Sequence, residues 1–314
     1  MIKTILITGG SGLIGKQLTE MLLCKGYKIH LLTRSGASLN RPHVKAFKWD
    51  VYKREIDEKC ISGVDAVIHL AGEGIADKRW TDDRKHQIRE SRTESIRMIY
   101  DLIKKTKNQV NHIISASAIG FYGDRADEML REESLPAKDF LAETCIEWES
   151  AVDEGIKLGL RVVKLRTGII LDAKGGALAQ MAKPLKIGFG AILGSGIQWM
   201  SWIHIQDALR MYLFALKNQQ MEGVYNMVAP SPVTTSEVTR AIAAAMGKSL
   251  LFFHIPEFAL KLAMGEMSML VLSSIRASAG KIKQAGFKFE YSTIDDALNE
   301  IYSSKVKSVI SGAL

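Results

Sequence analysis

Cysteine is scarce. The chain has three, Cys24, Cys60 and Cys145, odd in number and without the paired spacing of a metal site. That argues against a disulfide framework and a thiolate-held metal, and predicts reduced thiols in a cytoplasmic protein. No apolar run approaches the roughly 20 residues of a membrane span, so no membrane is expected among the partners. Repeats and low-complexity linkers are missing as well, which excludes solenoids and disordered arrays. No leader is read at the start, because MIKTILITGG enters a strand at once. Negative charge is in deficit: 42 Lys and Arg against 34 Asp and Glu leave a net charge of +8. The basic residues are spread along the chain without an aromatic-rich basic block. We therefore read the charge as a solvated surface plus a phosphorylated cofactor, and expect no nucleic-acid partner.

What is present is an alternation. Short β-branched runs at 4–8, 28–33, 66–71, 112–117 and 161–166 are separated by helical patterns at 13–25, 81–107 and 139–157. Several of the runs are apolar at nearly every position, as expected of strands covered by helices on both faces. The pattern predicts an α/β protein with a doubly wound parallel sheet of the Rossmann type. From about residue 175 the rhythm loosens, with Gly and Pro through 175–196, short strands near 199–204 and 223–228, and helices at 236–246 and 258–264. This predicts a dinucleotide-binding domain over 1–172, interleaved with a smaller C-terminal α/β lobe over 173–314.

The first predicted strand runs into GGSGLIG, with Gly9, Ser11, Gly12, Leu13, Ile14 and Gly15 at the turn into a helix. The spacing matches a dinucleotide cradle: one glycine to turn, one to admit a pyrophosphate, one to pack helix on strand. The helix N-terminus adds unpaired N–H groups and partial positive charge. The end of the second strand discriminates between dinucleotides. An NAD site places Asp or Glu there for the ribose 2′-hydroxyl. This chain has Thr33, Arg34 and Ser35 and no acid nearby. A guanidinium suits a 2′-phosphate, so NADP is the expected cofactor. The alternative for Arg34 is an exposed loop arginine.

GGSGLIG, HLAGEG (69–74) and SASAIGFYGD (115–124), in that order, make the chain resemble the extended short-chain dehydrogenase/reductases, relatives of nucleotide-sugar epimerases. More narrowly it resembles an atypical subgroup of epimerase-family, nucleoside-diphosphate-sugar epimerase-like proteins. That narrower likeness rests on RWT through SRT (79–93), LRTGIILD (165–172), QWMSWIHIQD (198–207), YNMVAP (225–230) and MGEMSMLVLSS (264–274), with a family-specific segment from about 248. The resemblance implies that Asp50 and Val51 lie by the adenine, and that Leu70, Ala71 and Gly72 line the ribose and pyrophosphate. It also puts Ser115 on the cofactor side and Thr167 and Ile169 along the nicotinamide.

The family's acid/base pair is missing. It should be a Tyr with a Lys four residues on, both facing the nicotinamide from the 139–157 helix. The two possible frames give Phe140/Thr144 or Leu141/Cys145. Tyr100 and Lys104 have the spacing but come too early in the chain, and read as a surface coincidence. Ser117 is placed for the hydroxyl that assists the reaction. Tyr122 is either a substitute phenol or a packed aromatic beside Phe121. Arg92 replaces the family's Asn and is either an anion-binding group or solvated. Trp202 and His204 are candidates to reach the cleft, His204 as acid or base or as a structural histidine. Cys145 is reactive only if its pKa is lowered.

Two functions follow. One is an NADP-dependent oxidoreductase or epimerase-like enzyme with a rewired acid/base set, acting on a small polar or nucleotide-linked substrate. The other is a non-catalytic NADP(H)-binding redox sensor or scaffold. No metal is called for, and the chain is read as a monomer or homodimer. The helices 81–107 and 139–157 carry charged faces (Asp82, Asp83, Arg84, Lys85; Glu143, Glu147, Glu149) without an apolar seam.

Overall fold

The computed structural model describes residues 2–35, 41–248 and 251–311, and within these every side chain except those of 251 and 304–311. All five candidate strands form. β1 (Thr4–Thr8), β2 (Lys28–Thr33), β5 (Ala66–His69), β6 (His112–Ala118) and the Arg161–Thr167 strand lie in one sheet with β3 (Val44–Asp50), β4 (Glu55–Ile56) and Gly223–Met227. Across it the order is Gly223–Met227, Arg161–Thr167, β6, β5, β1, β2, β3, β4. β1 pairs in parallel with both β2 and β5, so Ile7 stands opposite Leu31 on one side and Ile68 on the other. The β2–β3 and β5–β6 pairs are also parallel, and β3–β4 is antiparallel. Chain order runs outward from β1 in both directions. This is the doubly wound α/β sheet of the Rossmann type, whose ligand crevice opens at the C-terminal strand ends where the direction reverses.

Every residue of β5 is buried, and four of the five in β1. β3 is not among the candidate strands, because Lys45 and Lys48 interrupt its apolar residues and only Val44 and Trp49 are buried. The crossovers are α1 (Leu13–Cys24), α2 (Asp82–Lys105) and α3 (Phe140–Asp153). α2 begins where Thr81 caps the Arg84 N–H, and α3 where Asp139 accepts from Leu141 and Ala142 N–H. Tyr100 is a correction to the sequence reading. It is 1 % exposed and its hydroxyl donates to the Val152 carbonyl of α3 at 2.6 Å. Arg84 and Glu149 are a second correction: both are buried in the interior, outside any solvated charged face. The α2–α3 seam carries Arg89, which pairs with Glu143 and Glu147.

The chain forms two compact units. Unit 1 comprises Met1–Phe121, Lys138–Arg166 and Leu209–Tyr225; unit 2 comprises Tyr122–Ala137, Thr167–Ala208 and Asn226–Leu314. The core of unit 1 packs Leu6, Trp49, Ile96, Ile99, Tyr100, Trp148 and Val162 among others. That of unit 2 gathers Leu171, Leu178, Leu185, Trp202, Ile242 and Leu298. In unit 2, Ile169–Leu171 pairs in parallel with Trp202–His204, and a reciprocal Thr234/Glu237 cap starts the Thr235–Ala245 helix.

Candidate functional site

The glycine turn is built by close approach. At the end of β1 the buried Thr8 hydroxyl accepts the N–H groups of Leu70 at 3.0 Å and Ala71 at 2.9 Å, tying that strand end to the loop after β5. Gly9 has a φ of +65°, and a Cβ there would stand 2.6 Å from the Leu70 carbonyl oxygen. A Cβ on Gly15 would stand 2.2 Å from the Gly9 oxygen, so α1 can seat against β1 only through glycine. The Gly12 N–H donates to Gly9 O at 3.0 Å. Gly12 itself heads α1 with no side-chain cap and no acidic residue in the first turn. Ser11 and Gly12 are exposed, and Leu13 and Ile14 are half-buried. The result is a helix N-terminus with backbone donors and no acid in its first turn, a fit to a phosphorylated ligand.

Arg34 follows β2 with an 86 % exposed side chain, and its nearest carboxylate is Glu73 at 3.8 Å. A pair that long and that exposed contributes little, so the guanidinium is available to a stronger anion. Thr33 is half-buried and Ser35 exposed. The Asp50 carboxylate accepts the N–H groups of Tyr52 and Lys53 and so shapes the turn after β3, while Val51 packs on the unit 1 core.

The loop after β5 is pinned by α2. Ser91 Oγ accepts the Glu73 N–H at 2.9 Å, Arg84 donates to Glu73 Oε2 at 3.0 Å and to Gly74 O at 2.7 Å, and Arg92 donates to Glu73 O at 3.1 Å. Below it, His69 bonds Ser115 Oγ through Nδ1 at 3.0 Å and Ser95 Oγ through Nε2 at 2.7 Å. Burial, with the Arg92 charge in second place, pushes the His69 pKa down to about 3, so the ring is neutral.

Ser117 donates to Glu149 Oε1 at 2.6 Å. Arg166 grips the same carboxylate through Nε at 2.8 Å and Nη2 at 2.9 Å, and its guanidinium carbon sits 3.4 Å from the centre of the Phe121 ring. All three polar side chains are buried. Cys145, one turn before Glu149, contacts the Ala118 carbonyl at 3.6 Å. Burial, then the Glu149 charge, push its thiol up to about 12, which makes it a poor nucleophile.

The remaining candidates belong to unit 2. Thr167 and Ile169 are half-buried, and the Ile169 N–H donates to Ser201 O at 2.9 Å. Tyr122 is fully buried, with its hydroxyl donating to Asn226 Oδ1 at 2.7 Å. Trp202 is buried in the unit 2 core and donates to Ser231 O at 2.9 Å. His204 is 1 % exposed; its Nδ1 accepts the Gln206 N–H at 3.2 Å, so Nε2 carries the proton and donates to Glu300 at 3.1 Å.

Unit 1 thus brings Gly9, Gly12, Gly15, Leu70 and Ala71 into direct contact, with Arg34 and Gly72 on either side of Glu73 in space or sequence. Sequence reasoning missed Thr8, His69, Glu73, Glu149 and Arg166. Arg166 alone left a usable signal, a charge inside an apolar strand that requires a buried counter-charge.

A family profile described as the NAD dependent epimerase/dehydratase family matches residues 5–145, and a domain of unknown function (DUF1731) matches residues 255–301. The epimerase family protein YfhF of Bacillus subtilis is 34% identical over 302 residues, covering 96% of this chain and 98% of the relative. The chloroplastic SDR39U1 homolog of Arabidopsis thaliana is 35% identical, covering 95% of this chain and 86% of that protein. Among solved structures, the human epimerase family protein SDR39U1 with NADPH superposes with a TM-score of 0.82 at 26% identity, over 96% of this chain and 99% of that one. A nucleoside-diphosphate sugar epimerase from Corynebacterium glutamicum gives 0.77 at 34% identity, over 96% of this chain and 59% of the other. The glycine turn on a doubly wound sheet and these full-length likenesses together establish that the chain belongs to the epimerase family, within the extended short-chain dehydrogenase/reductases.

Proposed function

We propose that unit 1 binds NADP(H), and that the protein is an oxidoreductase or epimerase-like enzyme for a small polar or nucleotide-linked substrate that works without the Tyr-Lys pair. The observation that carries this reading is the glycine turn, closed to any side chain at Gly9 and Gly15 and open to anions at the α1 N-terminus, with Arg34 where an NAD site has an acid. The solved human relative carries NADPH, which supports the same cofactor here. When bound, the cofactor supplies hydride transfer at its nicotinamide. The chain's own residues do the holding: the Gly9–Gly15 backbone N–H groups face the pyrophosphate, Arg34 and Ser35 the 2′-phosphate, and Leu70, Ala71 and Gly72 the ribose. Three free thiols, two of them buried, fit a reducing compartment, the cytoplasm in our reading. Among the described residues no helix is long and apolar enough to cross a membrane.

The test is titration with NADPH and NADH, followed by fluorescence. NADPH is expected to bind at least about tenfold more tightly, and Arg34→Asp to weaken NADPH about tenfold or more, the loss of a charge-assisted contact of ~1.5–3 kcal/mol. Equal affinities, or an unchanged constant in the variant, would remove Arg34 from the site. The second reading, a sensor that binds NADP(H) without turnover, is favoured by the engagement of Ser117 with Glu149 and by the lack of a Tyr and Lys in either frame, Phe140/Thr144 or Leu141/Cys145. NADPH oxidation measured across carbonyl compounds and nucleotide sugars separates the two. Turnover that Tyr122→Phe abolishes would bring the phenol into the mechanism, whereas tight NADPH binding without turnover selects the sensor.

A further inference from the structure

Arg92 stands apart from the arginines around it. Arg84, Arg89 and Arg97 on the same helix each hold a carboxylate, and so does Arg166. Arg92 has none within ion-pair distance among the described residues. Its Nη1 donates to Ile88 O at 2.8 Å and its Nη2 to Glu73 O at 3.1 Å, so two of a guanidinium's five N–H donors have a protein acceptor. Glu73 offers Arg92 only its backbone carbonyl, because its carboxylate is turned to Arg84 and Arg34. The Arg92 side chain is half-buried, with its guanidinium carbon 5.2 Å from the ring centre of Trp148. Burial pulls its pKa down, the Arg84 charge adds to that, and the Cys145 thiol and the Glu73 charge work against it. A cation partly withdrawn from water with no direct ion pair is stabilised when an anion binds it.

The position suits a ligand. Gly72 is exposed, and a Cβ there would stand 3.1 Å from the Arg92 guanidinium carbon. Absence of that Cβ lets the guanidinium lie over the loop after β5, at the C-terminal end of the parallel strands where α/β sheets bind ligands. The glycine turn and its phosphate-facing N–H groups belong to β1 and α1. Arg92 lies on α2 and stacks against α3. A second donor nearby is also unanswered: the indole N–H of Trp148 is buried and has no hydrogen-bond partner.

We propose that Arg92 is an anion-binding residue of unit 1 that takes a carboxylate or phosphoryl group of the substrate, with Trp148 as its platform. This rests on the reading of unit 1 as an NADP(H) site, and it narrows the substrate class to molecules that carry a carboxylate or phosphoryl group. With one N–H of Nη1 and one of Nη2 given to carbonyls, the Nε–H and the second N–H of each Nη remain in the guanidinium plane, and coplanar charged donors suit both groups.

Trp148 emission, taken as the difference between wild type and Trp148→Phe, reports on the site. Wild-type protein, with and without saturating NADPH, is titrated with pyruvate, with inorganic phosphate, and with sodium chloride at matched ionic strength. Saturable quenching by pyruvate assigns a carboxylate, and by phosphate a phosphoryl group; chloride is expected to give none. Arg92→Gln should weaken the responding anion about tenfold or more, and Arg92→Lys less, while both bind NADPH within about twofold of wild type. The proposal is overturned if neither anion saturates beyond chloride, if Arg92→Gln binds the anion as well as wild type, or if that variant loses NADPH in the same proportion, which would make Arg92 a cofactor ligand. Where Arg92→Gln does not melt cooperatively, Arg92→Lys decides alone, and wild-type affinity in it overturns the proposal. The cofactor reading fails separately, if wild type does not bind NADPH while the anion titration still depends on Arg92.

Discussion

The His69 imidazole lies between the hydroxyls of Ser115 and Ser95 in the interior of unit 1, with the Arg92 charge as its nearest electrostatic influence. Its folded-state pKa of about 3 lies below the ordinary 6.5. Between those values the unfolded chain takes up a proton that the folded chain refuses. Stability from this residue is therefore complete above about pH 6.5 and falls as the pH drops towards 3, by up to about 1.4 kcal/mol per pH unit. Urea unfolding of wild type and His69→Asn across this range should differ in slope by one proton; parallel curves would show that the ring is protonated in the fold. At this scale the sequence revealed the glycine turn and little else. Gly9 and Gly15 could be identified because only glycine satisfies their contacts. Ser117 carries its meaning in a partner, Glu149, 32 residues away, and no spacing rule connects them. Tyr122 and His204 were left open for the same reason: a phenol or imidazole reads alike until its acceptor, here Asn226 or Glu300, is known.

Between elements, the Arg166–Glu149 pair joins the Arg161–Thr167 strand to α3, with Ser117 of β6 as a third member. All three side chains are buried, so truncating one leaves the others desolvated. Glu149→Ala should destabilise by ~3–5 kcal/mol, seen as a lower urea midpoint with an unchanged m-value. Glu149→Gln keeps an acceptor for Ser117 and should cost less. A shift under about 1 kcal/mol in Glu149→Ala would mean that water reaches Arg166 and relieves it. The elements themselves were readable wherever one signal ruled. β1, β2 and β5 each carry an unbroken run of four buried residues, and Thr81 and Asp139 announce their helices. β3 escaped because its lysines dilute the apolar pattern at a position near the sheet edge, where one face needs less covering. Arg84 and Glu149 misled for the opposite reason, since a charge on a helix reads as solvated until its buried partner is found.

For the molecule as a whole, the sequence indicated interleaving but not where it occurs. Leu209–Tyr225 belongs to unit 1, although it follows the 173–314 boundary read from the loosening rhythm, because it carries acceptors for a residue far earlier. Arg161 donates to the carbonyls of Ala215, Asn218 and Met221. A fragment ending at Asp172 would lack all three. It is expected to show no cooperative thermal melt by circular dichroism, and a melt within a few degrees of the full chain's would show that unit 1 needs only its first two segments. The passages between units fall at Phe121/Tyr122, Ala137/Lys138, Arg166/Thr167, Ala208/Leu209 and Tyr225/Asn226, the fourth inside the Ile205–Lys217 helix. Each unit is a braid of three stretches of one polypeptide. No single gene fusion could have delivered either unit, and no simple recombination can exchange one for a counterpart from another protein. With this wiring a single substitution leaves both units whole, whereas exchanging either unit takes three coordinated replacements.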